Sequence, residues 1–243
     1  MNKLLKFEFH KLKKQKSFYI CTFIMLLSSF ISLFLSKSFP SDDVISSGEI
    51  LLFAVSFSNF TMLCGIFISL FVCADYSEET VKNIYSHGFS RSKIYFSKLI
   101  TVIFSTAVMF LLTLVFNYFL GNYMFTGKSE NGNYILLLFG QFLICLAYSA
   151  FSFFVSISVK KSGTAIALSI LGPSIVDMVI SLIDAVLKTG KNELSNFWME
   201  SFSTSLSSLA TDIKRIYFCI AMSLVYFAAF IIGGYFINRK HEV

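Results

Sequence analysis

Between Leu99 and Asn122 the chain reads LITVIFSTAVMFLLTLVFNYFLGN, 24 residues without one Asp, Glu, Lys or Arg. As a helix this run rises about 36 Å, enough to cross the ~30 Å hydrocarbon layer of a bilayer. A core helix of a soluble domain would show its apolar residues as an interrupted stripe, and a barrel strand would alternate them. Neither pattern is present here, so lipid is the solvent this stretch is built for.

Five more runs of the same character flank it: Phe18 to Leu35, Ile50 to Ala74, Tyr134 to Val159, Ser162 to about Leu187, and Ile216 to Ile237. Composition agrees with them. Of 243 residues, 56% are hydrophobic and 14% charged, with 30 Phe and a mean hydropathy of +0.73, against about 25% charged in a typical soluble domain. The expected fold is an all-α integral membrane protein of six transmembrane helices, forming one transmembrane domain over residues 1–243. The fifth run carries Gly172, Pro173, Asp177 and Asp184, and is expected either to kink or to leave the hydrocarbon early.

Lys and Arg set the orientation. With the N-terminus inside, fourteen of the 20 fall in inner segments (Lys3 to Lys16, Lys82 to Lys98, Lys160 and Lys161, Arg239 and Lys240) and six in outer ones. The positive-inside rule then places both termini in the cytoplasm. This topology accounts for the net charge of +6, so no nucleic-acid partner is needed. The first span is read as retained rather than as a cleaved signal peptide, because it is long, follows six lysines and lacks a small-x-small cleavage site. The five cysteines, Cys21, Cys64, Cys73, Cys145 and Cys219, are odd in number, without C-x-x-C spacing, and read as packing residues.

Residues 1–17, with KLLKFEFHKLKKQK at their centre, put Leu5, Phe9 and Leu12 on one helical face among lysines. Such a helix would lie along the inner membrane surface, drawn to anionic lipid, or serve only as a basic flank that fixes topology. Residues 75–98 are polar: ADYSEETVKNIYSHGFSRSKIYFSKL runs from Ala74 to Leu99. Glu78 and Glu79 precede Lys82 at helical spacing, and Val81, Ile84 and Tyr85 share a face. Gly88 ends that helix, and Ser90 starts a second that runs into the third span past Arg91, Lys93 and Lys98. A helix, break, helix element of this kind is too polar for lipid and has a face to offer a partner.

At these residues the sequence resembles the six-span permease subunits of type-2 ABC exporters, and in size and character the small permeases of peptide-antibiotic export and self-protection systems, including lantibiotic immunity. The family's acidic cluster, Thr and Lys behind the second span, and its Arg and Lys before the third, are matched here by Glu78, Glu79, Thr80, Lys82, Arg91 and Lys98. The family's E-x-x-x-G-T form is SEETVKN in this chain, with no Gly before Thr80. The resemblance implies a coupling helix, to which Ile84 would add an apolar contact, docking into a separate ABC ATPase that carries ATP and Mg. It also implies a second copy or a sister permease, and a plasma-membrane location.

No G-x-x-x-x-G-K-[ST] loop and no H-E-x-x-H pair occurs in the sequence, so the chain is read as a transport subunit and not an enzyme, with no cofactor or metal of its own. Asp177 and Asp184 stand seven apart, nearly on one face, and are candidates for a substrate path that would welcome a cation. Residues 188–215 are expected to form external helices through Leu194, Phe197, Trp198, Leu206 and Leu209, with Trp198 as an interfacial anchor. Ser149, Ser152 and Ser156 share a face of the fourth span and read as helix-packing residues. The expected function is ATP-driven export of an antimicrobial peptide or amphipathic compound. Two other readings stand beside it: an ion-coupled carrier using Asp177, and a non-transporting anchor or sensor subunit.

Overall fold

The computed structural model describes residues 2–38, 52, 57–77, 86, 89–124, 134–186, 194–208 and 211–240. Among these there are no strands. The helices are α1 (Asn2–Lys14), α2 (Lys16–Ser38), α3 (Phe57–Ser77), α4 (Arg91–Met124), α5 (Tyr134–Val159), α6 (Ser162–Val186), a 3-10 turn (Ser195–Phe197), α7 (Met199–Leu206) and α8 (Ile213–Lys240). Six of them, α2 to α6 and α8, are long and apolar enough to cross a membrane.

The centre of the bundle is α5, which packs against α3, α4, α6, α7 and α8. Its inner faces are lined by small hydroxyl residues. Ser149, Ser152 and Ser156 are fully buried, and Ser156 Oγ lies 3.4 Å from Ser69 Oγ, which in turn lies 3.2 Å from Ser169 Oγ on α6. In lipid, where apolar contact gives helices no preference for each other over acyl chains, small residues associate spans by letting backbones approach. The lipid-ward faces are large and apolar, as at Phe23, Phe104, Leu171 and Ile232. All five cysteines are buried and free. Lys160, at φ 59°, takes the left-handed conformation that turns the chain between α5 and α6 in two residues.

The fifth span is a continuous helix, α6, which runs through Pro173. A proline at 173 removes the N–H that would bond the Ser169 carbonyl one turn back. The Tyr148 hydroxyl of α5 donates to that carbonyl instead. Gly65 makes room for the arrangement, since a Cβ there would sit 3.2 Å from the Tyr148 hydroxyl. We expect Tyr148→Phe to cost about 1–3 kcal/mol, the penalty of a buried carbonyl left bare, and to cost clearly less in a Pro173→Ala background, where a backbone N–H returns at position 173. A double-mutant cycle on thermal stability in detergent checks this, and additive losses would refute the pairing.

The segment after α6 folds back onto the bundle. The buried residues of α7 are Met199, Phe202, Ser203 and Leu206, an i, i+3, i+4, i+7 stripe. This differs from the expected face, because Leu194 and Phe197 are exposed, while Leu209 lies outside the described residues. Gly140 of α5 admits Leu206, whose Cδ1 would be 2.8 Å from a Cβ at 140. Gln141 Nε2 donates to the Leu206 carbonyl at 3.2 Å and so closes the C-terminal end of α7. Arg215 Nη2 donates to the Asn196 carbonyl at 3.0 Å, and its guanidinium lies over the rings of Phe202 and Phe218.

Candidate functional site

Two places gather polar chemistry in this apolar bundle. The first is the junction of α1, α3 and α4, at the two ends of the polar segment between the second and third spans. At 34 residues, α4 is about 51 Å long, well beyond a hydrocarbon layer. Its first two turns therefore form a stem, opened at the Ser90 carbonyl, which accepts from Lys93 N (3.0 Å) and Ile94 N (3.2 Å).

Lys98 on that stem is buried. Its ammonium donates to Asp75 Oδ2, near the end of α3, and stands 3.5 Å from Glu8 Oε1 of α1. Lys11 donates to the other Asp75 oxygen and to the Phe71 carbonyl at 3.0 Å, with its ammonium 4.5 Å from the centre of the Phe71 ring. Two lysines and two carboxylates thus form a neutral cluster that ties the base of α3 to the base of α4 and fastens α1 across both. Buried charges persist only when paired in this way.

The cluster alters the sequence reading of α1. The inward face is Leu4, Glu8 and Leu12, with Leu5 and Phe9 half-buried, so the helix docks on protein through an acidic residue. A signal for this was present in the sequence: Glu8 is the lone acid in a lysine-rich helix, at i+4 from Leu4 and i−4 from Leu12. Asp75 gave no such local sign, because its partners are 23 and 64 residues away. Of the residues expected to couple to an ATPase, Glu78, Glu79, Thr80, Lys82 and Ile84 lie outside the described residues. Arg91 is the first residue of α4 and half-buried.

The second place is a cavity of about 420 Å³ bounded by α3, α5, α6 and α7. Thr61, on its wall, is 14 residues before Asp75, or about 21 Å along α3. Met62, Ile170 and Pro173 make it apolar, while Glu200, Ser174, Thr204 and Ser207 supply oxygen atoms. Ser174 Oγ donates to Glu200 Oε1 at 3.0 Å. Burial pushes the Glu200 carboxyl above the usual carboxylate range; the Ser174 hydrogen bond opposes that, and the negative charge of Asp177 adds to it.

The two aspartates of α6 thus part company. Asp177 is half-buried and within electrostatic reach of the cavity carboxylate. Asp184 is buried and accepts from the backbone N–H groups of Leu194 (3.2 Å) and Ser195 (2.9 Å), so its carboxylate pins the 3-10 turn to α6. Trp198 also anchors to protein, its indole N–H donating to the Pro173 carbonyl at 3.1 Å. Glu200 was not singled out by the sequence, where it is one more acid in a polar excursion.

Residues 4–181 match the family described as ABC-2 family transporter protein. No curated protein matches the sequence. The match takes in most of α1, the spans α2 to α5, most of α6 and both halves of the ion-paired junction. The chain belongs to the ABC-2 transporter family: it is the membrane-embedded permease subunit of an ABC transporter, a multi-pass protein of the plasma membrane, and a transport subunit rather than an enzyme.

Proposed function

We propose that this permease serves an ATP-driven exporter, paired with a second copy or a sister permease and driven by ABC ATPase chains that hold ATP and Mg. Both termini and residues 75–98 face the cytoplasm in this reading, with α7 outside. The cargo is an antimicrobial peptide or an amphipathic compound, moved out of the membrane or the cell for self-protection or secretion.

The observation that carries the proposal is the charge cluster at the junction. Asp75 and Lys98 clamp together the two helices from which the coupling segment hangs. A push on Glu78, Glu79, Thr80, Lys82 and Ile84 by a closing ATPase would then move α3, α4 and α1 as one unit, instead of being lost in a slack loop. Membrane lipid surrounds the spans and provides the site from which an amphipathic cargo would be collected.

Changing Glu79→Lys together with Ile84→Asp is expected to leave the permease inserted at parental abundance while weakening its co-purification with the ATPase by tenfold or more. A tenfold loss is about 1.4 kcal/mol, within reach of one desolvated contact. Undiminished co-purification with undiminished ATP-dependent transport would remove the coupling role from this segment.

A further inference from the structure

We propose that the cavity between α3, α5, α6 and α7 binds a primary ammonium group carried on an apolar chain, with Glu200 as its counter-charge. The proposal names the head group of the cargo and takes its biological purpose from the export reading; the binding itself stands on geometry.

The cavity's size, about 420 Å³, is that of a small-molecule site. Several of its hydroxyl protons are already engaged. Thr204 Oγ1 donates its proton to the Glu200 carbonyl at 2.7 Å, and Ser207 Oγ donates to the Ser203 carbonyl at 2.8 Å. Both hydroxyls have spent their protons on the backbone of α7, and Ser207 Oγ also accepts from Gln141 Nε2 at 3.3 Å. The Ser174 proton is spent on Glu200 itself. The described lining thus holds one carboxylate among hydroxyl oxygens, those of Thr61 and Ser203 included, with neither Lys nor Arg among its residues.

A group that donates in several directions and accepts in none answers that lining, and an ammonium has three donors and no acceptor. Anions are disfavoured by Glu200 and by Asp177 behind it. The apolar wall of Met62, Ile170 and Pro173 takes up the chain to which the ammonium is attached.

Trp198 is the only tryptophan in the chain and is bonded to the carbonyl of Pro173 on the cavity wall, so its fluorescence reports occupancy without a label. The purified permease, in phosphatidylcholine nanodiscs without any ATPase, is titrated with dodecylammonium, dodecanol and dodecyl sulfate. Dodecylammonium is expected to give a saturable emission change that dodecanol and dodecyl sulfate do not. Glu200→Gln should weaken it roughly ten- to hundredfold, the worth of a hydrogen bond to a charged group, and Glu200→Asp should keep most of it.

Ammonium groups reach a membrane protein from peptide lysines and from lipid head groups, and two further arms separate these. Competition by a short apolar peptide with a single lysine points to a peptide. A reduced apparent affinity when phosphatidylethanolamine is added to the disc points to lipid. Either result supports the site. Equal titrations by parent and Glu200→Gln, or a dodecanol response matching that of dodecylammonium, overturn it. A parent that binds dodecylammonium but supports no ATP-driven export, once its ATPase is added, overturns the export reading and leaves the site standing.

Discussion

Replacing Lys98 with methionine is expected to cost the permease roughly 3–5 kcal/mol, the loss typical of removing one partner from a buried ion pair. The methionine fills the volume of the lysine stem, so the effect is electrostatic. Lys11 alone would remain to face two carboxylates, Asp75 and Glu8, in a site where both are buried. The rescue is as specific as the damage. Adding Glu8→Gln to Lys98→Met removes the surplus negative charge and leaves the Lys11–Asp75 pair intact, so more than half of the lost stability should return. The midpoint of heat denaturation in detergent, compared for the parent, both single variants and the double variant, measures this. A Lys98→Met protein as stable as the parent, or a double variant no better than the single, would mean that the cluster does not hold α1, α3 and α4 together.

Truncating Phe202 to alanine should release α7 from the bundle. Phe202 is fully buried in a cluster with Leu52, Leu137, Ile144, Leu206, Ile216 and Cys219. It meets Phe218 edge-on, at 6.1 Å between ring centres, and lies beneath the Arg215 guanidinium. Deleting a buried phenylalanine costs about 3–5 kcal/mol. Spent on a local opening of an eight-residue helix, that raises the undocked population by about two to four orders of magnitude. Cys219 supplies the readout, because it is fully buried while α7 is docked. In a version keeping Cys219 as its only cysteine, maleimide labelling should accelerate by a comparable factor in Phe202→Ala. An unchanged labelling rate at equal folded abundance would show that α7 is held by other contacts.

The six spans were legible before any coordinates, and so was the start of α4 at Ser90 and Arg91. A residue's preference for hydrocarbon over water is its own property, and it adds along a helix without reference to neighbours. Twenty uncharged residues therefore announce a span wherever they occur. The same holds for the small hydroxyl face of Ser149, Ser152 and Ser156, which periodicity alone assigns to packing. The sequence also marked Pro173 as a place where α6 would depart from regularity. It could not show that Tyr148, 21 residues before Ser169, supplies the donor missing at the Ser169 carbonyl.

The pairings belong to the tertiary structure. Asp177 and Asp184 look alike by spacing, yet one stands within electrostatic reach of Glu200 and the other fastens a turn, because Leu194 and Ser195 bring their N–H groups only to the second. Glu8 reads as a stray acid among lysines until α4 places Lys98 beside it, and Glu200 is undistinguished until α6 presents Ser174. A charge or a hydrogen bond in a low-dielectric interior takes its energy from a partner at a few ångströms. The sequence by itself determined what each segment prefers as solvent; only the packing of α1, α3, α4, α6 and α7 decided which polar groups meet, since those meetings join residues 23 to 90 positions apart or lie across a turn whose direction no local pattern sets.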